Sequence, residues 1–198
     1  MPIVSSVRAA QLAERCGAAA VVAEGCEAGG HLGTDRSIYD ILPEIKQQVN
    51  TPVVAAGGIV DGFDMAAMVR LGADGVQMAT RFVLSQECSV ADEFKQVYLQ
   101  AQEGDMIIIK SPVGMPGRAL RTPFTDLIDT EDYKPSTKCV QCLKDCNHSF
   151  CINQALVEAK NGNISGGLVF AGKCVVRITE ILPVADIFNK TLTEYASV

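Results

Sequence analysis

One of the chain's two histidines, His31, sits in EAGGHLG (27–33) with Gly29, Gly30 and Gly33 around it. An imidazole titrates near neutrality, so His31 is the residue of this stretch suited to act as general base or general acid. Glycines beside it let a ligand approach closely and leave backbone N–H groups to meet anions. Two later stretches share this character: Gly57-Gly58 in PVVAAGGIVDG and Ala79-Thr80 in GVQMATRF. Together they offer the amides of a split phosphate site. A lone Gly-Gly pair after a strand is often only a tight turn; its recurrence at successive strand ends argues for function. Glu27 either orients the imidazole or bonds backbone amides, the second being the commoner use. Arg81 follows the second turn and offers a partner to phosphate or to a carboxylate of the fold.

The elements that must position these residues are short and regular. PIVSSV (2–7), AAVVAEG (19–25), PVVAAGG (52–58) and DGVQMAT (74–80) are rich in Val and Ala, as buried parallel strands are. Helical patterns separate them: VRAAQLAERCG, SIYDILPEIKQQVN, with Pro43 marking its start or a kink, and DGFDMAAMVRLG. Strand and helix alternating on short connections predict βαβ units and a parallel sheet, either doubly wound or part of a (β/α)8 barrel. Such sheets bind ligands at the C-terminal ends of their strands, where the glycine stretches lie. Beyond Phe82 the texture changes. SVADEFKQVYLQAQ and INQALVEAKNG predict helices, MIIIK (106–110) a short strand or apolar extension, and SPVGMPGRALRTP an irregular, Pro- and Gly-rich segment.

Four of the eight cysteines crowd into KCVQCLKDCNHSFC, at Cys139, Cys142, Cys146 and Cys151, with His148 among them. Thiolates at such density are candidate ligands for zinc or an iron–sulfur cluster, although the spacing matches neither the paired zinc pattern nor the ferredoxin run. The bland alternative is a helix with buried cysteines acting as small hydrophobes.

The 198 residues, 48% hydrophobic and 20% charged, suit one globular domain with an appendage. A net charge of -6 speaks against nucleic acid or an anionic membrane surface as partner. No apolar run is long enough to span a bilayer, and the opening MPIVSSVRAAQ lacks a signal-peptide pattern. The expectation is a cytoplasmic protein acting on a small-molecule substrate.

Taken together, EGCEAGGHLG, PVVAAGGIVDG and LGADGVQMATRF resemble the nitronate monooxygenase family, of which the FMN-dependent enoyl-[acyl-carrier-protein] reductases are close relatives. SPVGMPGRALRTP and the cysteine-bearing tail look like a bacterial branch of the same group. The resemblance implies an α/β fold of TIM-barrel type with FMN at the C-terminal strand ends. It implies His31 as the active-site histidine, Gly57 and Gly58 as the phosphate loop, Ala79 and Thr80 as the second phosphate turn, and Gly29 and Gly30 beside the flavin. Relatives often carry Gly at the position of Ala79, and a backbone N–H serves from either. The implied reaction is oxidation of an alkyl nitronate by O2 to a carbonyl compound and nitrite. The alternatives are an FMN-dependent enoyl-thioester reductase, an NAD(P)H-dependent flavin reductase, or a flavin- or phosphate-binding fragment without turnover.

By the same resemblance the four βα units are the second half of the barrel, and Met1-Pro2-Ile3 falls in the middle of the family fold. The expected organisation is a partial, FMN-binding barrel over 1–125 and a C-terminal extension with the cysteine cluster over 126–198. Open sheet edges are a liability, so a complementing N-terminal half or a homo-oligomer is the expected partner.

Overall fold

The computed structural model describes residues 1–130, 133–134, 139, 141–142 and 144–198. Chain order begins β1 (Ile3–Val4), α1 (Val7–Arg15), β2 (Val21–Glu24), β3 (Gly30–His31), α2 (Ile38–Lys46), β4 (Val53–Ala56), α3 (Gly62–Arg70), β5 (Gly75–Gln77) and α4 (Thr80–Val83). It continues α5 (Asp92–Leu99), β6 (Met106–Lys110), β7 (Pro116–Leu120), α6 (Pro123–Ile128), α7 (Ile152–Lys160) and α8 (Val184–Ala196). No helix among the described residues is long and apolar enough to cross a membrane.

Strands β1, β2, β4 and β5 form one parallel sheet in that order. Sequential parallel strands joined by helices are the arrangement of half a (β/α)8 barrel, so the fold is a partial barrel of TIM type. Side chains alternate across the sheet. Val4, Val21, Ala23, Val53 and Ala55 pack outward onto Ala10 of α1, Ile38, Ile41, Leu42 and Ile45 of α2, and Met68 of α3. The opposite face carries Val22, Val54 and Gly75 in one row, then Glu24, Ala56 and Gln77 in the next, at the C-terminal ends. The starts of α1, α2 and α3 are each capped by a side chain from the preceding loop, Ser6, Ser37 and Asp61 in turn. Pro43 lies inside α2 rather than at its start.

A second, antiparallel sheet runs β3-β7-β6. Its middle strand is drawn from SPVGMPGRALRTP, which the composition predicts to be irregular. Pairing on both sides overrides that composition: Pro116 occupies the first strand position, where a missing N–H is tolerated, and the small Gly117 and Ala119 face their partners. The hairpin closes through Ser111 N–H to Met115 O at 3.2 Å. The loop bearing His31 therefore becomes an edge strand, with Gly30 opposite Arg118 and His31 opposite Gly117.

The C-terminal residues return to the barrel across the boundary drawn at residue 125. Leu120 N–H bonds Val169 O at 2.8 Å, Lys173 N–H bonds Glu27 O at 2.9 Å, and Ser85 bridges Leu182. Helix α8 lies on α3, where Glu194 accepts the Gly62 amide at 2.9 Å. Arg177 bonds Asp61 and Asp64 at the same helix start.

The contact of α3 with α8 is close enough to make a prediction. A methyl group on Gly62 would stand 2.1 Å from Thr191 O and 2.5 Å from Tyr195 N. In a free helix Gly→Ala gains about 1 kcal/mol. Here the overlap with the α8 backbone reverses the sign, and Gly62→Ala should lower stability by about 1–3 kcal/mol, read as a lower urea midpoint. A raised midpoint would refute this packing.

Candidate active site

The glycine-rich loop after β2 is held from both ends. Glu27 is buried, and its carboxylate accepts Ser37 Oγ at 2.7 Å and the Ile38 amide at 3.0 Å. Its charge thus sits on the first turn of α2, where it satisfies an orphan donor and complements the helix dipole. Of the two uses read for Glu27 in the sequence, bonding the backbone is the one found. Arg118 donates to Cys26 O through Nη2 at 2.7 Å and Nε at 3.2 Å, fixing the other side of the loop.

Gly29, Gly57, Gly58, Ala79 and Thr80 all line one cavity of about 70 Å³ at the C-terminal ends of β2, β4 and β5. Gly57 and Gly58 adopt φ of 100° and 74°, which glycine takes without strain. A side chain on Gly29 would run into the backbone of Ala171 and Gly172, 2.5 and 2.6 Å away. The amides of Gly57, Gly58, Ala79 and Thr80 have no protein acceptor among the described residues, whereas Thr80 Oγ1 accepts the Gly172 amide at 3.0 Å. The cavity is thus lined by four residues whose N–H groups are free to donate, a donor set suited to a phosphate.

Glu24, Gln77, Gly172 and Cys174 also line it, and the sequence reading did not single them out. Glu24 had a legible signal, an acid at the C-terminal end of an otherwise apolar strand. Gly172 and Cys174 had none, because the return of the chain after residue 168 decides their place. Burial pushes the Glu24 carboxyl above its ordinary range, and burial raises the Cys174 thiol, with Arg177 opposing it and Asp64 adding to it.

His31 and Gly30 stand outside that lining, on β3. His31 Nε2 lies 2.7 Å from Ser111 Oγ, and its ring packs edge-to-face with Phe170 at a centroid distance of 5.4 Å. Partial burial lowers the imidazole pKa, keeping the ring neutral at neutral pH.

Two sequence candidates find other roles. Arg81 is buried, and its Nη2 donates to Leu84 O at 3.1 Å and Glu180 O at 2.9 Å, so it ties chain segments together and faces backbone carbonyls. Among the described residues no group of three or more His, Cys, Asp or Glu side chains is placed to hold a metal ion, so Cys139, Cys142, Cys146 and Cys151 are not gathered into a ligand set. Cys139 Sγ lies 3.8 Å from His148 Nδ1, and Cys142 Sγ accepts from Asn153 at 3.2 Å.

Residues 1–194 match the nitronate monooxygenase family, a family of oxidoreductases, and the chain belongs to it. The fold superimposes on FabK from Thermotoga maritima with a TM-score of 0.84 and 36% identity, covering 99% of this chain and 60% of that one. It superimposes on a nitroalkane oxidase from Streptomyces ansochromogenes with a TM-score of 0.79 and 27% identity, covering 98% and 56%. A curated relative from Rhodococcus jostii, (3aS,4S,5R,7aS)-5-hydroxy-7a-methyl-1-oxo-octahydro-1H-indene-4-carboxyl-CoA dehydrogenase, is 38% identical over 129 residues, which are 65% of this chain and 36% of that protein. The chain therefore spans little more than a third of that relative and about three fifths of the two solved chains.

The loop geometry makes Glu27 its anchor. Glu27→Ala leaves the Ile38 amide and the Ser37 hydroxyl without their acceptor and should cost about 1–3 kcal/mol in urea unfolding. Glu27→Gln keeps one acceptor oxygen and should recover part of that loss. Equal stability of all three proteins would show that the loop is held by other contacts.

Proposed function

We propose that this member of the nitronate monooxygenase family binds FMN and serves the oxidation of small alkyl nitronates to a carbonyl compound and nitrite. The observation that carries the reading is the single cavity that joins three strand ends and is edged by unpartnered amides. Gly57, Gly58, Ala79 and Thr80 would hold the phosphate through their N–H groups. Gly29 and Gly30 would lie beside the ring system, Gly29 through its backbone because Ala171 and Gly172 fill the space of a side chain there. FMN, when bound, supplies the two-electron redox chemistry that no side chain here provides.

The chain's own residues would bind, orient and handle protons. His31, neutral and held between Ser111 and Phe170, would address an oxygen of the substrate. Residues 1–125 would carry the cofactor site, and 126–198 would cover it through Gly172 and Phe170. The edges of β1 and β5 each have one strand neighbour among the described residues. They are where a complementing half-barrel or a second copy would add strands. A second reading, reduction of an enoyl thioester, draws support from the carboxyl-CoA dehydrogenase relative.

Substitution of His31 tests the assignment. His31→Ala should retain FMN while turnover of an alkyl nitronate falls by about two orders of magnitude or more. Unchanged turnover would remove His31 from the mechanism. Glu24 supplies a second, electrostatic test. Its carboxyl shares the cavity with the proposed phosphate, so ionised Glu24 opposes the ligand and protonated Glu24 does not. Glu24→Gln should tighten FMN about 3- to 10-fold at pH 8, and the gain should shrink as pH falls through the raised carboxyl range. Fluorescence titration of FMN reads both values; a gain independent of pH would separate Glu24 from the anion.

A further inference from the structure

Ser111 has no part in the phosphate cavity, yet it is 3% exposed and its hydroxyl is aimed at the histidine. It directly follows β6 and opens the β6–β7 hairpin. Both of its backbone groups are used there: its N–H bonds Met115 O at 3.2 Å, and its carbonyl accepts Gly114 N–H at 3.0 Å. The side chain therefore leaves a clamped backbone. His31 is clamped as well, through the pairing of β3 with β7 and through its contact with the Phe170 ring.

A serine hydroxyl has one proton to give and two lone pairs to receive with. The Val113 N–H points at Oγ from 3.4 Å and uses one lone pair. Among the described residues the acceptor within reach of the hydroxyl proton is His31 Nε2, at 2.7 Å. A buried hydroxyl gives its proton to an acceptor when one is in reach. The order of donation is then Val113 N–H to Ser111 Oγ–H to His31 Nε2. In a neutral imidazole the nitrogen that accepts is bare and the other carries the hydrogen.

We infer that Ser111 is a positioning residue that fixes His31 as the Nδ1–H tautomer, so that the ring meets its ligand as a hydrogen-bond donor and not as a base. This inference rests on the proposed role of His31 at the active site. Nδ1 has no hydrogen-bond partner among the described residues, and burial lowers the ring's pKa. A donor suits an oxygen that bears negative charge, such as that of a preformed nitronate, or one that develops it, such as a thioester carbonyl. It does not suit abstraction of a carbon-bound proton from a neutral nitroalkane.

With only two histidines in the chain, His31 and His148, the tautomer can be read directly. The experiment is a long-range 1H–15N correlation spectrum of the full chain with 15N-labelled histidine, at a pH where the ring is neutral, using His148→Ala for assignment. The expected result is a protonated Nδ1 and a bare Nε2 on His31. Ser111→Thr keeps the hydroxyl and should keep that pattern. Ser111→Ala should lose it, giving a mixture or the Nε2–H form. A wild-type ring carrying its proton on Nε2 overturns the proposal even where a variant fails to fold, and so does an unchanged pattern in folded Ser111→Ala. The spectrum needs neither cofactor nor turnover. Absence of nitronate oxidation would therefore count against the functional reading and leave the tautomer result standing.

Discussion

The site depends on backbone N–H groups that the fold leaves without partners. Between neighbouring strands of a parallel sheet the ladder consumes the amides, and further donors become free where a strand ends and the chain turns away. Three strands end side by side here, and the turns after β4 and β5 are built so that their amides border one cavity. The positive φ at Gly57 and Gly58 places that turn where a side chain would meet Ala28 or Glu27. A cavity edged by donors alone would strongly favour an anion. Glu24 tempers this one, because a half-buried carboxyl in the same space changes the local charge with its own protonation.

Two devices at the site accommodate ionisable groups in the apolar interior. Glu27 is ionisable and buried, but its two oxygens meet a hydroxyl and the start of a helix, so its charge is solvated by the protein. His31 is ionisable and partly buried, and the burial keeps it neutral. Arg81 is the exception. Its guanidinium is buried, its Nη2 meets two carbonyls, and its Nε finds no acceptor among the described residues. That is a cost the turn after β5 accepts to hold residues 84 and 180 together.

How much was legible in the sequence follows from the range of the contacts. The parallel strands could be read from runs such as VVAE and VVAA, because burial on both faces writes itself into consecutive residues. The positions of Gly29, Gly57, Gly58, Ala79 and Thr80 followed, since they stand immediately after those runs and share a cavity. Strand β7 was hidden, because its Pro and Gly residues obey pairing partners that lie elsewhere in the chain. Ser111 and Phe170, which grip the histidine, were hidden for the same reason: Ser111 is 80 residues from His31. The cysteines show the opposite case. Their density is a local pattern, and no shared ligand geometry answers to it among the described residues.

The return of the C-terminal segment also bears on how the molecule is made. Thr80 and Gly172 meet across 92 residues of chain, and Gly62 and Glu194 across 132. Contacts of such span close large loops and form slowly. During synthesis the four parallel strands leave the ribosome before the segment that roofs them, with the face bearing Glu24, Ala56 and Gln77 still uncovered. Gly172, Cys174 and Val175, which complete the cavity, emerge well after those strands, so the cavity can close only once that later segment has been made.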